Sequence, residues 1–262
     1  MAKPFKARKT RERAPKPTTK VGPALIPNYA LELEYKKEIY KLIIEAVFPA
    51  EQAANYAEDR LTVSSMKMLK KKAFALAAKF VSKVNTLSHN KMWSIIEELG
   101  KELTVGAAEL GPTIREQVQF NVGLITNLAQ ESQEKLTELF QTHGPDQSKI
   151  YKELEEHVGK RAKLIANDQN AKIYTSLNTE RMVGSGLLTF IWDHSSAGKT
   201  PRPCHVARDG HTFLLKGSPS ELYFVDGSDA NSAFGGKKGD AGKPGWAINC
   251  RCRMRPSVSL DD

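Results

Sequence analysis

The chain has 262 residues, enough to bury a substantial core in one large domain or in two smaller ones. Hydrophobic residues make up 40% of it and charged residues 26%, which excludes a fibrous or a wholly disordered protein. No apolar run approaches the roughly 20 residues that span a bilayer, and no signal-peptide core follows the basic N-terminus. Three cysteines are too few for a disulfide framework, so we expect a reducing compartment such as the cytoplasm.

The formal net charge of +9 is concentrated at the N-terminus. Residues 1–20 hold +7 of it, because Glu12 is the single acid among eight basic side chains: Lys3, Lys6, Arg8, Lys9, Arg11, Arg13, Lys16 and Lys20. We expect residues 1–27 to be a disordered arm, since they cannot bury enough apolar surface to offset the entropy of the chain. The arm is either a solubilising extension or a contact to nucleic-acid phosphates or to an acidic partner.

Residues 28–183 are predicted to be mostly helical. Apolar side chains recur at helical spacing over 29–48, and Pro49 ends this first amphipathic helix. Further helices are predicted over 61–87, 90–103, 113–129, 130–141, 148–157 and 160–182, with Gly159 as a break. One face of the second helix carries Lys67, Lys70, Lys71, Lys72, Lys79 and Lys83. This face is either solvated or a contact to nucleic acid or to a membrane surface, and the sequence does not separate these interpretations.

The character of the chain changes after residue 184. Residues 187–192 are short, apolar and rich in aromatic and β-branched side chains, which predicts a strand. Glycine and proline are dense from 193 to 256, and residues 235–242 are predicted to be a mobile surface loop. The fold class is therefore predicted to be α+β, a mainly helical N-terminal body followed by a small irregular β-containing module.

The C-terminal module contains residues of the kind that bind metals. Cys204, His205, Cys250 and Cys252 together could hold a tetrahedral Zn²⁺ ion, although the sequence identifies no cofactor with certainty. Cys250 and Cys252 are one residue closer than in the usual Cys-x-x-Cys unit, so they can share an ion only if the backbone is kinked. In a regular strand they would instead be ordinary buried thiols on one face. Both interpretations stay open.

A hydrolytic site is a second interpretation of the same region. His205 would act as a base and Asp209 would orient it. Cys204 and His205 are a poor candidate for a nucleophile and its base, because adjacent side chains usually point in different directions. Asp209 and Gly210 also form a turn signal that needs no catalytic role.

Five pieces of sequence, taken in order, carry a resemblance. Residues 161–169 are similar to a segment Arg-Ala-x-Leu-Ile-Ala-Arg-Asp-Gln, with Asn167 in place of its second arginine. Then follow Phe190-Ile191-Trp192, Arg202-Pro203-Cys204-His205, Asp209-Gly210 with His211-Thr212-Phe213, and Asn249-Cys250-Arg251-Cys252 with Pro256. Over residues 117–256 the chain thus resembles the Mu F-type head-morphogenesis (minor head) family of tailed bacteriophages. Cys204 departs from that pattern, because relatives often have serine or another residue before the histidine.

The resemblance implies a minor capsid protein that acts in head assembly, not an enzyme. Such a late protein is found in the virion, in the capsid interior near the portal, and in the host cytoplasm during assembly. The implied partners are the portal protein, the major capsid or scaffold protein and double-stranded DNA, with no membrane. The residues expected to hold the module in shape are Arg202, His205, Asp209, Gly210, Asn249, Cys250, Arg251 and Cys252.

These features divide the chain into four parts. They are the arm (1–27), a helical region of unknown role (28–116), the helical part of the head-morphogenesis domain (117–183) and the Cys/His module (184–262). The alternative from another class is a small metal-dependent hydrolase or nuclease that uses His205 and Asp209.

Overall fold

The computed structural model describes residues 19–48, 62–105, 109–195, 201–235 and 237–259. They form four long helices that pack against one another, followed by a module built on a five-stranded antiparallel sheet. The predicted α+β class with a helical N-terminal body is confirmed. Among the described residues, no helix combines the length and the apolar character needed to cross a membrane.

The helical body consists of α1 (Tyr29–Val47), α2 (Val63–Glu98), α3 (Gly111–His143) and α4 (Gln147–Gly184). Side chains cap three of the N-termini: Asn28 accepts from the backbone N–H groups of Ala30 and Leu31, Thr62 from that of Ser65, and Asp146 from that of Lys149. These bonds satisfy N–H groups that have no partner inside a helix.

The helices are fewer and longer than the sequence predicted. Neither glycine nor proline separates the predicted segments within α2 or within α3, so each pair is one continuous helix. Gly159 lies inside α4, where it costs about 1 kcal/mol relative to alanine but breaks nothing. Val158 and Ala162 on either side of it are fully buried, so the apolar stripe continues across the glycine. The predicted division between 116 and 117 falls within α3.

A polar chain joins α1, α3 and α4 at the centre of the body, and a ring stack adds α2. The hydroxyl of Tyr35 in α1 donates to Asn121 Oδ1 in α3 at 2.9 Å, and the Asn121 amide donates to Gln169 Oε1 in α4 at 3.2 Å. The ring of Tyr35 stacks on Phe80 of α2 with centroids 3.8 Å apart. Because each buried polar group has a partner, the network fixes the register of the helices without the cost of an unpaired donor.

The described residues of the C-terminal module form four strands and one short α-helix: β2 (Thr189–Asp193), α5 (Pro203–Ala207), β3 (Thr212–Leu214), β4 (Tyr223–Phe224) and β5 (Arg253–Ser259). An N-terminal strand, β1 (Thr19–Val21), completes the sheet. The strand order is β1-β5-β2-β3-β4, so the last strand of the chain lies between the first strand and β2.

The prediction of a disordered arm that extends to residue 27 is wrong for residues 19–27. Thr19–Val21 pair with Ser257–Ser259, and Lys20, counted among the basic residues of the arm, belongs to this strand. The backbone N–H groups of Gly22 and Leu25 donate to carbonyls of β5 at 2.8 Å, and the Leu25 side chain is buried. The segment is held by a sheet edge supplied from the far end of the chain, which its own composition cannot reveal. Residues 1–18, with the remaining basic residues of the predicted arm, lie outside the described residues.

The lysine face of α2 divides into two parts. Lys79 and Lys83 both approach the carboxylate of Glu34 in α1, with Lys83 Nζ 2.5 and 2.8 Å from its two oxygens. These contacts lower the pKa of Glu34. Lys67, Lys70, Lys71 and Lys72 are exposed to solvent. The predicted basic face is therefore smaller than the sequence indicates.

We expect Leu25→Ala to lower the free energy of unfolding by about 2–5 kcal/mol, because it leaves a cavity beside β5. Leu25 is 2% exposed, whereas its neighbour Ile26 is 46% exposed. Ile26→Ala is therefore the matched control and should change stability by no more than about 0.5 kcal/mol. Urea unfolding followed by circular dichroism measures both. Equal stability of the two variants would show that this segment is not packed on the sheet.

Candidate functional site

The candidate site lies where α5 meets the turn before β5. Arg202 and Pro203 begin α5, because the fixed φ of proline suits a first helical turn and its missing N–H is not needed there. Cys204 and His205 follow in this first turn, and both side chains are buried. The sequence Arg-Pro-Cys-His thus directs its last two side chains into the module.

A sharp bend precedes the two C-terminal cysteines. Asn249 has a φ of 57°, a left-handed conformation that asparagine adopts more readily than most residues. The N–H of Cys250 closes this turn by donating to the carbonyl of Ala247 at 2.8 Å. Cys250 and Cys252 therefore lie before β5 and not within a regular strand. The bend thus lies immediately before the pair, and not between the two cysteines.

His205 connects the two sides of the site. Its Nδ1 lies 3.5 Å from Cys250 Sγ and 3.7 Å from Cys252 Sγ, and its Nε2 lies 3.2 Å from the backbone carbonyl oxygen of Asp240. Trp192 of β2 packs edge-on against the imidazole, with ring centroids 5.2 Å apart. Because a carbonyl oxygen only accepts, Nε2 donates its N–H to Asp240, and Nδ1 faces the two sulfurs.

Each of the two thiols shifts the pKa of the other. Hydrogen bonding from Cys252 lowers the pKa of Cys250, with further help from His205 and from the backbone N–H of Gly245, and together these outweigh burial. The same contact and burial raise the pKa of Cys252.

Cys204 stands apart from this group. Among the described residues, the potential ligand atoms of His205, Cys250 and Cys252 lie within 4.8 Å of one another, and Cys204 is not part of the set. Successive side chains of a helix project in different directions, so Cys204 and His205 do not face the same point. The structure thus brings together three of the four residues in the predicted metal set.

Arg208, at the end of α5, is a buried residue that the sequence analysis did not single out. Its guanidinium carbon lies 5.1 Å from the centre of the Trp192 ring and 5.7 Å from that of Phe234, and Nη1 donates to the Asp240 carbonyl at 3.0 Å. Burial lowers the pKa of Arg208. Arginine is almost never fully buried without a charged partner, so no sequence rule would place it here.

Asp209 and Gly210 form the turn between α5 and β3. Asp209 Oδ1 accepts from the backbone N–H of His194 at 2.8 Å. Gly210 has a φ of 74° and donates its N–H to the carbonyl of Trp192 at 2.9 Å. The carboxylate of Asp209 thus bonds to the residue that follows β2 and not to His205, whose ring nitrogens face Asp240 and the sulfurs.

The two arginines of the motifs make contacts within the chain. Arg202 pairs with the Asp240 carboxylate at 2.5 Å and donates to the carbonyl of Ile248 at 2.7 Å. Arg251 makes a bidentate pair with Glu32 of α1 at 2.8 and 3.0 Å, and it lies over the ring of Tyr29. Arg202 therefore braces the module, and Arg251 fastens it to the helical body.

The module also rests on α4, which contains the first piece of the resemblance. Asn167 Nδ2 donates to Asn249 Oδ1 at 3.2 Å, and Thr175 Oγ1 donates to the carbonyl of Pro244 at 2.7 Å. Asn167, which stands where the family segment has arginine, therefore contacts the last piece of the resemblance. Motifs more than 80 residues apart in sequence meet at one interface.

Lys243 is a second buried cation that the sequence analysis missed. It is 1% exposed, and its ammonium nitrogen lies 2.6–3.3 Å from four backbone carbonyl oxygens, which share its three N–H groups: those of Lys216, Gly217, Ser218 and Glu221. Burial lowers its pKa to about 8. This side chain holds the loop between β3 and β4. Lysine in a Gly-Lys-Pro-Gly sequence gives no signal of such a role, because lysines are mostly exposed.

The site is thus a buried group of one histidine and two cysteines, enclosed by contacts from α1, α4, α5 and β2. Comparisons of the chain with protein-family models, with curated proteins and with solved structures find no match. Function is therefore inferred from the sequence pattern and from this geometry.

We expect Lys243→Met to lower the free energy of unfolding by about 2–4 kcal/mol, because four backbone carbonyls lose a charged donor. The exposed Lys237 lies in the same part of the chain, and Lys237→Met should change stability by no more than about 0.5 kcal/mol. Thermal and urea unfolding measure both variants. A Lys243 variant as stable as the control would mean that the ammonium does not organise this loop.

Proposed function

We propose that this chain is a minor head protein of a tailed bacteriophage, acting in capsid assembly near the portal vertex and the capsid interior. The proposal starts from the ordered resemblance of residues 117–256. The observation that carries it is the set of contacts that these residues make within the chain. They bond to one another and to the helical body, which is how residues that shape a structural module behave.

The contacts of His205 support this proposal over the hydrolase alternative. A general base needs a reachable lone pair and a group that orients the ring. In this chain Nδ1 faces the buried sulfurs of Cys250 and Cys252, and Nε2 is bonded to a backbone carbonyl. His205 is 3% exposed, so substrate access would require the module to open.

The charge distribution supports contact with DNA or with acidic partner surfaces. Residues 1–18 contain seven of the eight basic residues of the predicted arm, and Glu12 is their one acid. Contacts of this kind are independent of base sequence and draw their free energy largely from counterions released from the phosphates. Such an extension suits packaged DNA in the capsid interior. It equally suits acidic surfaces on the portal or scaffold protein.

Head incorporation tests the assembly role. The chain is produced with the portal, scaffold and major capsid proteins of the same phage, and the assembled heads are purified and analysed by quantitative mass spectrometry. We expect the wild-type chain in the heads at low copy number. His205→Ala should lower the melting temperature and the incorporation together, whereas Lys237→Met should change neither.

The same samples separate assembly from catalysis. Nuclease activity on supercoiled DNA is measured for the wild type and for His205→Ala. The assembly role predicts no turnover in either protein. Heads that lack the chain would contradict the proposal. A normally folded His205→Ala protein that has lost measurable turnover would favour the enzyme.

Removal of residues 1–18 tests the DNA contact. The structure sets this end point, because Thr19–Val21 belong to the sheet. We expect the full chain to bind duplex DNA with a strong salt dependence, and the truncated chain to lose up to about 6 from the slope of log K against log salt. Fluorescence anisotropy at several salt concentrations measures both. An unchanged slope would place DNA binding elsewhere or remove it.

A further inference from the structure

We propose that His205, Cys250 and Cys252 bind one Zn²⁺ ion, which fastens α5 to the turn before β5. The sequence left open whether its cysteines and histidine were ligands or ordinary buried residues, and it included Cys204 in the candidate set. The structure assigns three of these residues to one point and excludes the fourth. This inference goes beyond the assembly role, which does not require a metal.

The distances between the donor atoms match those of a tetrahedral zinc site. A Zn–N bond of about 2.0–2.1 Å and a Zn–S bond of about 2.3 Å, at the tetrahedral angle, separate nitrogen and sulfur by roughly 3.5 Å. The distances from His205 Nδ1 are 3.5 Å to Cys250 Sγ and 3.7 Å to Cys252 Sγ. All three donors lie within 4.8 Å of one another. One ion can therefore contact all three with little adjustment of the side chains.

Without a metal, the three donor atoms can be linked only one after another, with one thiol bonded to His205 Nδ1 and the other thiol bonded to the first sulfur. The Nδ1 lone pair of a neutral imidazole can accept one S–H, yet two sulfurs lie at nearly the same distance from it. A metal ion uses the lone pair and both sulfurs at once. Because thiolate and imidazole ligands together favour zinc over calcium or magnesium, Zn²⁺ is the ion that this set would hold.

The surroundings of the ligands are those that support a bound metal. Metal-binding histidines usually donate their second ring N–H to a carbonyl or a carboxylate, which fixes the tautomer, and His205 Nε2 faces the carbonyl of Asp240. The backbone N–H of Gly245 donates to Cys250 Sγ at 3.4 Å. Each of these contacts orients a donor atom without occupying the point where the ion would lie.

The backbone satisfies the remaining requirement. The left-handed Asn249 bends the chain immediately before Cys250. Cys250 and Cys252 then approach the same imidazole although they lie outside any regular strand. The tight spacing, which argued against a zinc site at the level of sequence, is consistent with one here.

Metal analysis of the full chain tests the proposal. The protein is made without a histidine tag in zinc-supplemented medium and purified without chelator, and its zinc is measured by mass spectrometry. We expect about one zinc per chain. Cys250→Ser and Cys252→Ser should each lower this content at least tenfold. Cys204→Ser should leave it unchanged, because Cys204 is equally buried but lies outside the ligand group.

A spectroscopic measurement on the wild type guards against variants that fail to fold. Co²⁺ replaces zinc after dialysis of the full chain, and thiolate ligands then produce charge-transfer and tetrahedral d–d absorption bands. We expect both bands at one equivalent of Co²⁺, and their loss when Zn²⁺ is added. A folded wild-type chain with neither zinc nor these bands would overturn the proposal. Loss of zinc in Cys204→Ser would overturn the three-ligand assignment.

Discussion

The position of β5 between β1 and β2 is the constraint on which the rest of the structure depends. The two neighbouring strands are separated in sequence by the four long helices, so the sheet can close only when the helical body has brought both of them together. Pairing over such sequence distances costs chain entropy, which burial of Leu25, Trp192 and Met254 helps to offset. The same strand anchors the turn that carries Cys250 and Cys252. The geometry of the site therefore depends on the pairing of β5 with both of its neighbouring strands.

Buried cations contribute to the specificity of the fold. Arg181, Arg208 and Lys243 are each at most 1% exposed, and among the described residues none of them forms a salt bridge. Arg181 donates to Ser88 Oγ at 2.6 Å and to the Asn85 carbonyl at 3.3 Å, and so joins α4 to α2. Its pKa falls to about 10 because of burial. Such charges are tolerated only where carbonyl oxygens or aromatic rings lie close to them, so they disfavour other arrangements of the same elements.

The proposed assembly role and the proposed zinc site use different parts of the molecule. The histidine and cysteines face inward and set the shape of the module, while Arg251 ties that shape to α1 through Glu32. Contacts with partners would instead involve outward features, such as the exposed lysines at the start of α2 and the nearby Phe74, which is 49% exposed. The proposed ligands are therefore buried inside the module, and the exposed lysines lie on the helical body.

The sequence by itself determined the helical body, the strand near residue 190 and the participation of His205, Cys250 and Cys252 in one module, because these depend on periodicity and residue type. Only the tertiary structure decided that residues 19–27 are ordered, that Cys204 stands apart, and that Arg208 and Lys243 are buried. Each of these outcomes depends on partners far away in sequence: an edge of β5, a bend at Asn249, or carbonyls supplied by another loop. Local composition does not predict such partners, since hydrogen bonding and burial at these positions depend on residues that come close only when the whole chain has folded.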